Sequence, residues 1–190
     1  QWTIDCLQKY VGTEVFPGID PKPMLLIELD GSEREVEEQS SVLMQWMESR
    51  ALAFRSAHTA EEAEKIWDVR RQGSSSMKKL ASTKLNEDVV VPLDKQVELV
   101  QCVDGLRKKF GIKIGVFGHC GDGNLHVNLM YDEENAEETA RAVAALKELM
   151  SQVIKLGGAI SGEHGVGLAK TPFVREQFNQ AEWSAMLAVK

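Results

Sequence analysis

The pattern that most constrains the fold of this chain is a strand–turn–strand signal over residues 113–131. Residues 113–117 are a short strand-like run, the string GHCGDGNLHVN follows at 118–128, and residues 124–131 alternate. Successive strand side chains point to opposite faces, so Leu125, Val127 and Leu129 share one side while Asn124, His126 and Asn128 share the other. The Gly121-Asp122-Gly123 turn folds the second run back on the first, and the two pair antiparallel. One face of this hairpin suits a layer of helices. The other is a row of hydrogen-bonding and metal-binding groups. A solvated face more often carries Lys, Glu and Thr, and Asn is disfavoured in strands, so the row points to function.

The remaining signals place this hairpin in a larger domain. Apolar runs at 24–29 and 51–57 and the run ending at Val89, Val90 and Val91 read as three further strands. Ser32 opens a helix to about Ser49 with Val36, Leu43, Met44 and Met47 on one face. Thr59 and Glu62 form a capping box for a helix through Ile66, Trp67 and Val69, which the run Gly73-Ser74-Ser75-Ser76 breaks. Asp94 caps a helix that turns Val97, Val100, Val103 and Leu106 inward. A long helix near 134–156 buries Ala140, Val143, Leu146, Met150 and Val153 and stops at Gly157-Gly158. Residues 1–20 suggest a short helix (Trp2, Ile4, Leu7, Tyr10), and 18–23 a turn. The order β-α-β-α-β-α-β-β-α predicts an α+β domain with one largely antiparallel sheet and helices on one face.

A chain of 190 residues fits one domain and buries roughly 70% of its unfolded surface without disulfides. A net charge of −7 argues against a nucleic-acid platform, which carries a basic stripe. No apolar run approaches the ~20 residues that cross a bilayer. Cys6, Cys102 and Cys120 are odd in number, far apart and without a C-x-x-C pair, so neither a disulfide framework nor a thiolate zinc site is indicated. The expected setting is reducing and cytoplasmic, with peripheral membrane association through an electron acceptor as its variant. The chain starts at Gln1 and stops at Lys190 within an amphipathic segment (Trp183, Met186, Leu187), so residues 1–190 are expected to be one domain cut at both ends.

Three of the four histidines fall in two glycine-rich strings, the hairpin and SGEHGVG at 161–167. His119 ends the first hairpin strand, and the turn brings it near Asn124 and His126. Two imidazoles and a carboxylate form a catalytic set for a divalent ion with open positions. Glu163 is the expected third ligand, and His164 beside it is placed as a general base. Asp122 reads as a turn residue, Cys120 as a small buried hydrophobe, and His58 as a surface or strand-end residue. Gly118 and Gly121 are expected to leave room for close approach. Gly165-Val166-Gly167 lacks the strand-to-helix setting of a dinucleotide loop, so no nucleotide-binding unit is visible. A metal-dependent hydrolase could use the same donors, and a non-catalytic interaction domain would leave the polar row simply wet.

GHCGDGNLHVN (118–128) and SGEHGVGLAK (161–170), with TKLNEDVVVP (83–92) and IWDVR (66–70), resemble the C-terminal domain of FAD-linked oxidases. That family lies in the vanillyl-alcohol oxidase superfamily and includes D-lactate dehydrogenases, the glycolate oxidase flavoprotein subunit and D-2-hydroxyglutarate dehydrogenase. The resemblance implies a ferredoxin-like α+β fold that covers a flavin ring, with the FAD held mainly by a separate N-terminal domain not contained in residues 1–190. It implies zinc, manganese or iron on His119, His126 and Glu163, a substrate contact from Asn128, and His164 as base. Arg70 matches a carboxylate-binding arginine and Lys84 a substrate lysine; the alternative for each is a solvated or structural residue. The implied reaction oxidises a D-2-hydroxy acid to the 2-oxo acid and passes electrons to an acceptor that the sequence does not identify.

Overall fold

The alternating run at 124–131 becomes the middle strand of a three-stranded antiparallel sheet. The computed structural model describes residues 3, 4, 9, 23–51 and 53–190. The short helix expected around 2–10 lies mostly outside these residues, although Thr3, Ile4 and Lys9 are helical. The turn expected at 18–23 also lies outside them, apart from Pro23. The chain divides into two compact units, joined at Gly73 and Ser74.

In the first unit, Ser32 caps α1 (Glu33–Glu48), and Ser32 and Glu35 complete a reciprocal capping box. Val36, Leu43, Met44 and Met47 on the expected face are partly buried, as is Ser40. Thr59 and Glu62 exchange the expected capping bonds at the start of α2 (Ala60–Met77). The strands expected at 24–29 and 51–57 are not formed: the described residues there belong to no strand, and Leu25 is 62% exposed. A short apolar run carries strand propensity but no partner, and a strand exists only once its ladder is paired. The break expected at 73–76 is also absent, because α2 continues to Met77. Burial of Ser76 and Met77 outweighs the weak helix preference of Gly and Ser, about 0.5–1 kcal/mol each.

The second unit contains β1 (Thr83–Val90), α3 (Gln96–Phe110), β2 (Lys113–His119), β3 (Asn124–Tyr131), α4 (Ala136–Lys155), α5 (Thr171–Gln177) and α6 (Gln180–Val189). The sheet order is β1-β3-β2, with β3 antiparallel to both neighbours. After α4 the chain returns to the outer edge of β1, where Val90 and Ala159 form an isolated antiparallel bridge. This β-α-β-β-α-β path, with one strand inserted into a split β-α-β, is the ferredoxin-like α+β arrangement. Helices α3 and α4 pack together on one sheet face. Val89, Ile114, Leu125, Val127 and Leu129 meet Leu99, Val103, Ala145, Leu149 and Val153 in the core.

Two details of the helices depart from expectation. A 3₁₀ turn at Leu93–Lys95 precedes α3, and Lys95 rather than Asp94 is the N-cap, without a side-chain capping bond. The inward faces are also rotated. α3 buries Leu99, Val103 and Leu106 while Val97 is 67% exposed, and α4 buries Ala142, Ala145, Leu149, Met150 and Val153 while Val143 is 42% exposed. α4 ends at Gly157-Gly158 as expected, with the Gly158 N–H bonded to the Val153 carbonyl. Among the described residues, no helix is long and apolar enough to cross a membrane.

Candidate metal and substrate site

Register-paired residues in an antiparallel ladder project to the same face. Asp88 is paired with His126, Asn86 with Asn128 and Lys84 with Met130; on the other side, Phe117 is paired with His126 and His119 with Asn124. The face away from α3 and α4 therefore carries the polar row on β3, flanked by Lys84, Asn86 and Asp88 on β1 and His119 on β2. Asn124, His126 and Asn128 are 4, 7 and 0% exposed, so this row is not simply wet, as a non-catalytic domain would have it.

His119, His126 and Glu163 converge. Their ligating atoms all lie within 4.8 Å of one another, the one such cluster among the described residues. His119 Nε2 is 3.4 Å from Glu163 Oε1. Tetrahedral donors about 2.1 Å from an ion stand roughly 3.4 Å apart, the spacing of the His119–Glu163 pair, and two imidazoles with a carboxylate are a donor set suited to a divalent cation. The His126 and His164 rings stack with centroids 5.5 Å apart, and the His119 ring meets His126 edge-on at 5.9 Å. Burial lowers the pKa of His126, against the opposing pull of the Glu163 and Asp88 carboxylates. That favours the neutral imidazole, the form that binds metal. His126 Nδ1, Asn124 Oδ1 and Asn128 Oδ1 are buried without hydrogen-bond partners among the described residues. Such groups are costly to leave unsatisfied, and three of them on one face suit a polar ligand.

The glycine loop that carries Glu163 and His164 is held by Asp88, a residue that sequence reasoning missed. Asp88 is fully buried. Its Oδ2 accepts the backbone N–H groups of Gly162, Glu163 and His164 at 2.9, 2.8 and 2.8 Å, and Oδ1 accepts Asn124 Nδ2 at 2.9 Å. Burial alone would raise the pKa of this carboxyl, but the donors overcome it and hold the value at about 2. The loop approaches so closely that a Cβ on Gly162 would sit 2.1 Å from Asn124 Nδ2 and 2.7 Å from Asp88 Oδ1. At the far end of the loop, Lys170 is buried, donates to the Asp88 carbonyl at 2.7 Å and lies 3.8 Å from Glu87 Oε2. The available signal was an Asp beside the apolar run 89–91 in a strand, where Asp is disfavoured.

The other expected residues are distributed as follows. Lys84 lies on the site face four register positions along the ladder from the Asp88–His126 pair and donates to Ser74 Oγ at 2.7 Å. Burial lowers its pKa, and Lys78 adds to the effect. Asn128 donates to the His126 carbonyl at 3.0 Å. Arg70 is a partly buried residue of α2 in the first unit. Asp122 is the expected turn residue, its Oδ1 accepting the Asn124 N–H. Cys120 is exposed rather than buried, because the strand stops at His119 and Cys120 begins the turn. The close approach at Gly118 comes from the neighbouring strand, whose Asn124 carbonyl would lie 2.3 Å from an added Cβ; Gly121 has nothing within 4 Å. His58 is exposed in a loop, 3.0 Å from Ser56 Oγ.

Residues 3–190 match the family described as FAD linked oxidases, C-terminal domain. The chain belongs to this family. It is 35% identical over 173 residues to the glycolate oxidase subunit GlcD of Bacillus subtilis (strain 168), an alignment covering 89% of this chain and 36% of that protein. It is 29% identical over 195 residues to a D-lactate dehydrogenase of Anaerostipes hadrus, covering 96% and 40%. A probable mitochondrial D-lactate dehydrogenase of Danio rerio is 26% identical over 171 residues, covering 88% and 34%. This FAD-linked oxidase domain thus spans about a third of the length of these relatives.

Proposed function

We propose that this domain is the substrate- and metal-binding part of a flavin-dependent oxidoreductase that converts a D-2-hydroxy acid of the lactate, glycolate or 2-hydroxyglutarate class into the 2-oxo acid. The observation that carries this reading is the convergence of His119, His126 and Glu163 within 4.8 Å, with the His164 ring stacked on His126. Family membership supports the flavin, and the printed names of the relatives support the substrate class.

His119, His126 and Glu163 would hold a divalent cation (zinc, manganese or iron). When bound, the cation supplies Lewis acidity toward the substrate hydroxyl and carboxylate oxygens, and the flavin, held mainly by another domain, supplies the hydride acceptor. The residues of this chain orient the substrate and handle its proton. Exposed His164 accepts the hydroxyl proton as C2 loses hydride, so the alcohol gives up two electrons and two hydrogens. Buried Asn128 offers its unpartnered Oδ1 to a substrate group. Lys84 adds positive charge on the same face, and Arg70 enters through the family resemblance as a carboxylate-binding guanidinium. The electron acceptor is a separate partner, and the proposed setting is cytoplasmic, with peripheral membrane association through that acceptor as its variant.

The test uses the full-length flavoprotein. D-lactate, glycolate or D-2-hydroxyglutarate should bleach the oxidised flavin absorbance under anaerobic conditions. His126→Ala and Glu163→Ala should each lower bound metal and bleaching rate together, the rate by at least about 100-fold. Failure of every 2-hydroxy acid to bleach the flavin overturns the substrate class, and unchanged metal content in both variants overturns the ligand set.

A further inference from the structure

We propose that Asp88 is a positioning residue for the site, fixing Glu163 and His164 relative to His126 through the backbone of the glycine loop. This inference rests on the metal reading given above. The ligands come from distant parts of the chain: His126 lies on β3 and Glu163 on a loop after α4. Their relative placement must be set by something that touches both. Asp88 does so. It is the register partner of His126 across the β1–β3 ladder, and one carboxylate oxygen gathers three consecutive N–H groups, from Gly162, Glu163 and His164.

Consecutive N–H groups converging on one point form an anion-binding nest. Here the anion is a side chain of the same domain. Fixing the amides on both sides of the Glu163 Cα atom, and the amide that leads into His164, sets the direction in which the Glu163 side chain leaves the backbone and anchors the N-terminal side of His164. Asn124 holds the other carboxylate oxygen at 2.9 Å, so the carboxylate cannot rotate freely. Lys170 grips the Asp88 carbonyl at 2.7 Å, which ties the far end of the loop to the same strand residue. Gly162 permits the approach, since any side chain there would overlap Asn124 and Asp88.

A purely structural anchor would stabilise the loop without governing metal affinity. The positioning role predicts that both change while the core stays intact. In Asp88→Asn the shape is kept, but three charge-assisted bonds become neutral ones of about half the strength. Hydrogen exchange in peptides covering 161–167 of the full-length protein should quicken about 10- to 100-fold, while peptides of α4 stay within about twofold. Mn²⁺ titrated into chelator-stripped protein should bind about 10- to 100-fold more weakly, the usual effect of removing a group that orients a ligand. Unchanged loop exchange overturns the proposal, as does a loosened loop with unchanged Mn²⁺ affinity. Wild-type protein that takes up neither Mn²⁺ nor Zn²⁺ overturns the metal reading instead, and a loosened loop in the variant then still supports the Asp88 anchor. Should Asp88→Asn not fold, Asn124→Ala removes one carboxylate donor and is read by the same two measurements. A severalfold change in both supports the proposal, and no change in the loop overturns it.

Discussion

Replacing Lys170 with Met should destabilise the second unit strongly, and adding Glu87→Gln should recover part of the loss. Lys170 and Glu87 side chains are 7% and 6% exposed, with Nζ 3.8 Å from Oε2. At an effective dielectric of 20 their attraction is about 4 kcal/mol, but burial opposes both charges. Burial raises the pKa of Glu87, with Lys170 pulling the other way, and burial lowers that of Lys170, with Glu87 resisting. The intact pair therefore contributes little net stability, whereas breaking it costs about 3–5 kcal/mol. Of that, roughly 1–3 kcal/mol is the bond from Lys170 to the Asp88 carbonyl, which the double variant also lacks. Lys170→Met should thus cost about 3–5 kcal/mol and the double variant about 1–3, a recovery of about 2 kcal/mol. The assay is hydrogen exchange in α4, whose buried residues report unfolding of the unit. The cost of Lys170→Met also depends on pH. Glu87 has a folded pKa above its ordinary 4.5, so its protonated form is tolerated at low pH. Losing the Lys170 charge, which pulls the Glu87 pKa down in the intact pair, raises it further, so stability is lost as pH rises through that value and the penalty should be larger at neutral than at acidic pH. Equal costs for the single and double variants, within about 0.5 kcal/mol, would refute this account of the pair.

Three further substitutions test the packing. Gly162→Ala forces a Cβ to 2.1 Å from Asn124 Nδ2, and displacing these tightly held groups should cost about 1–3 kcal/mol, seen as faster exchange in 161–167 and weaker Mn²⁺ binding. Leu149→Ala empties a fully buried position and should cost about 2–5 kcal/mol, whereas Val143→Ala, on the exposed side of α4, should stay within about 0.5 kcal/mol. The reverse order in urea unfolding would put α4 in the wrong rotation.

The parts of the fold legible in the sequence are those set by local signals. Strand β3 begins and ends where its alternation does, and α4 lies within a few residues of its expected span. Helix rotation was not legible, because both helices carry two overlapping apolar stripes. In α3, Leu99, Val103 and Leu106 compete with Val97, Val100 and Val103. The choice is made by the neighbour that each helix packs against, which spacing alone does not reveal. The strands expected at 24–29 and 51–57 failed for a related reason, since propensity describes one segment and a ladder needs two.

The same division runs through the site. His119, His126, Glu163 and His164 announce themselves because scarce imidazoles sit in glycine-rich backbone, and their chemistry is intrinsic to each side chain. What makes them a site is the approach of residues 161–170 to β1, and that approach is written in long-range pairs: Asp88 with the amides of 162–164, Asn124 with Asp88, and Lys170 with the Asp88 carbonyl. None of these pairs has a sequence spacing that marks it. Asp88 looks like a misplaced charge in a strand until the loop is folded over it. A buried carboxylate is tolerated only where donors converge on it. An acidic residue next to an apolar strand run is therefore a sign that some loop, far away in sequence, must arrive with its N–H groups turned inward. In this domain the arriving loop carries Glu163, the third proposed metal ligand, and His164, the proposed base, so under the proposal above the residue that least fits its strand determines whether those two groups point at His126.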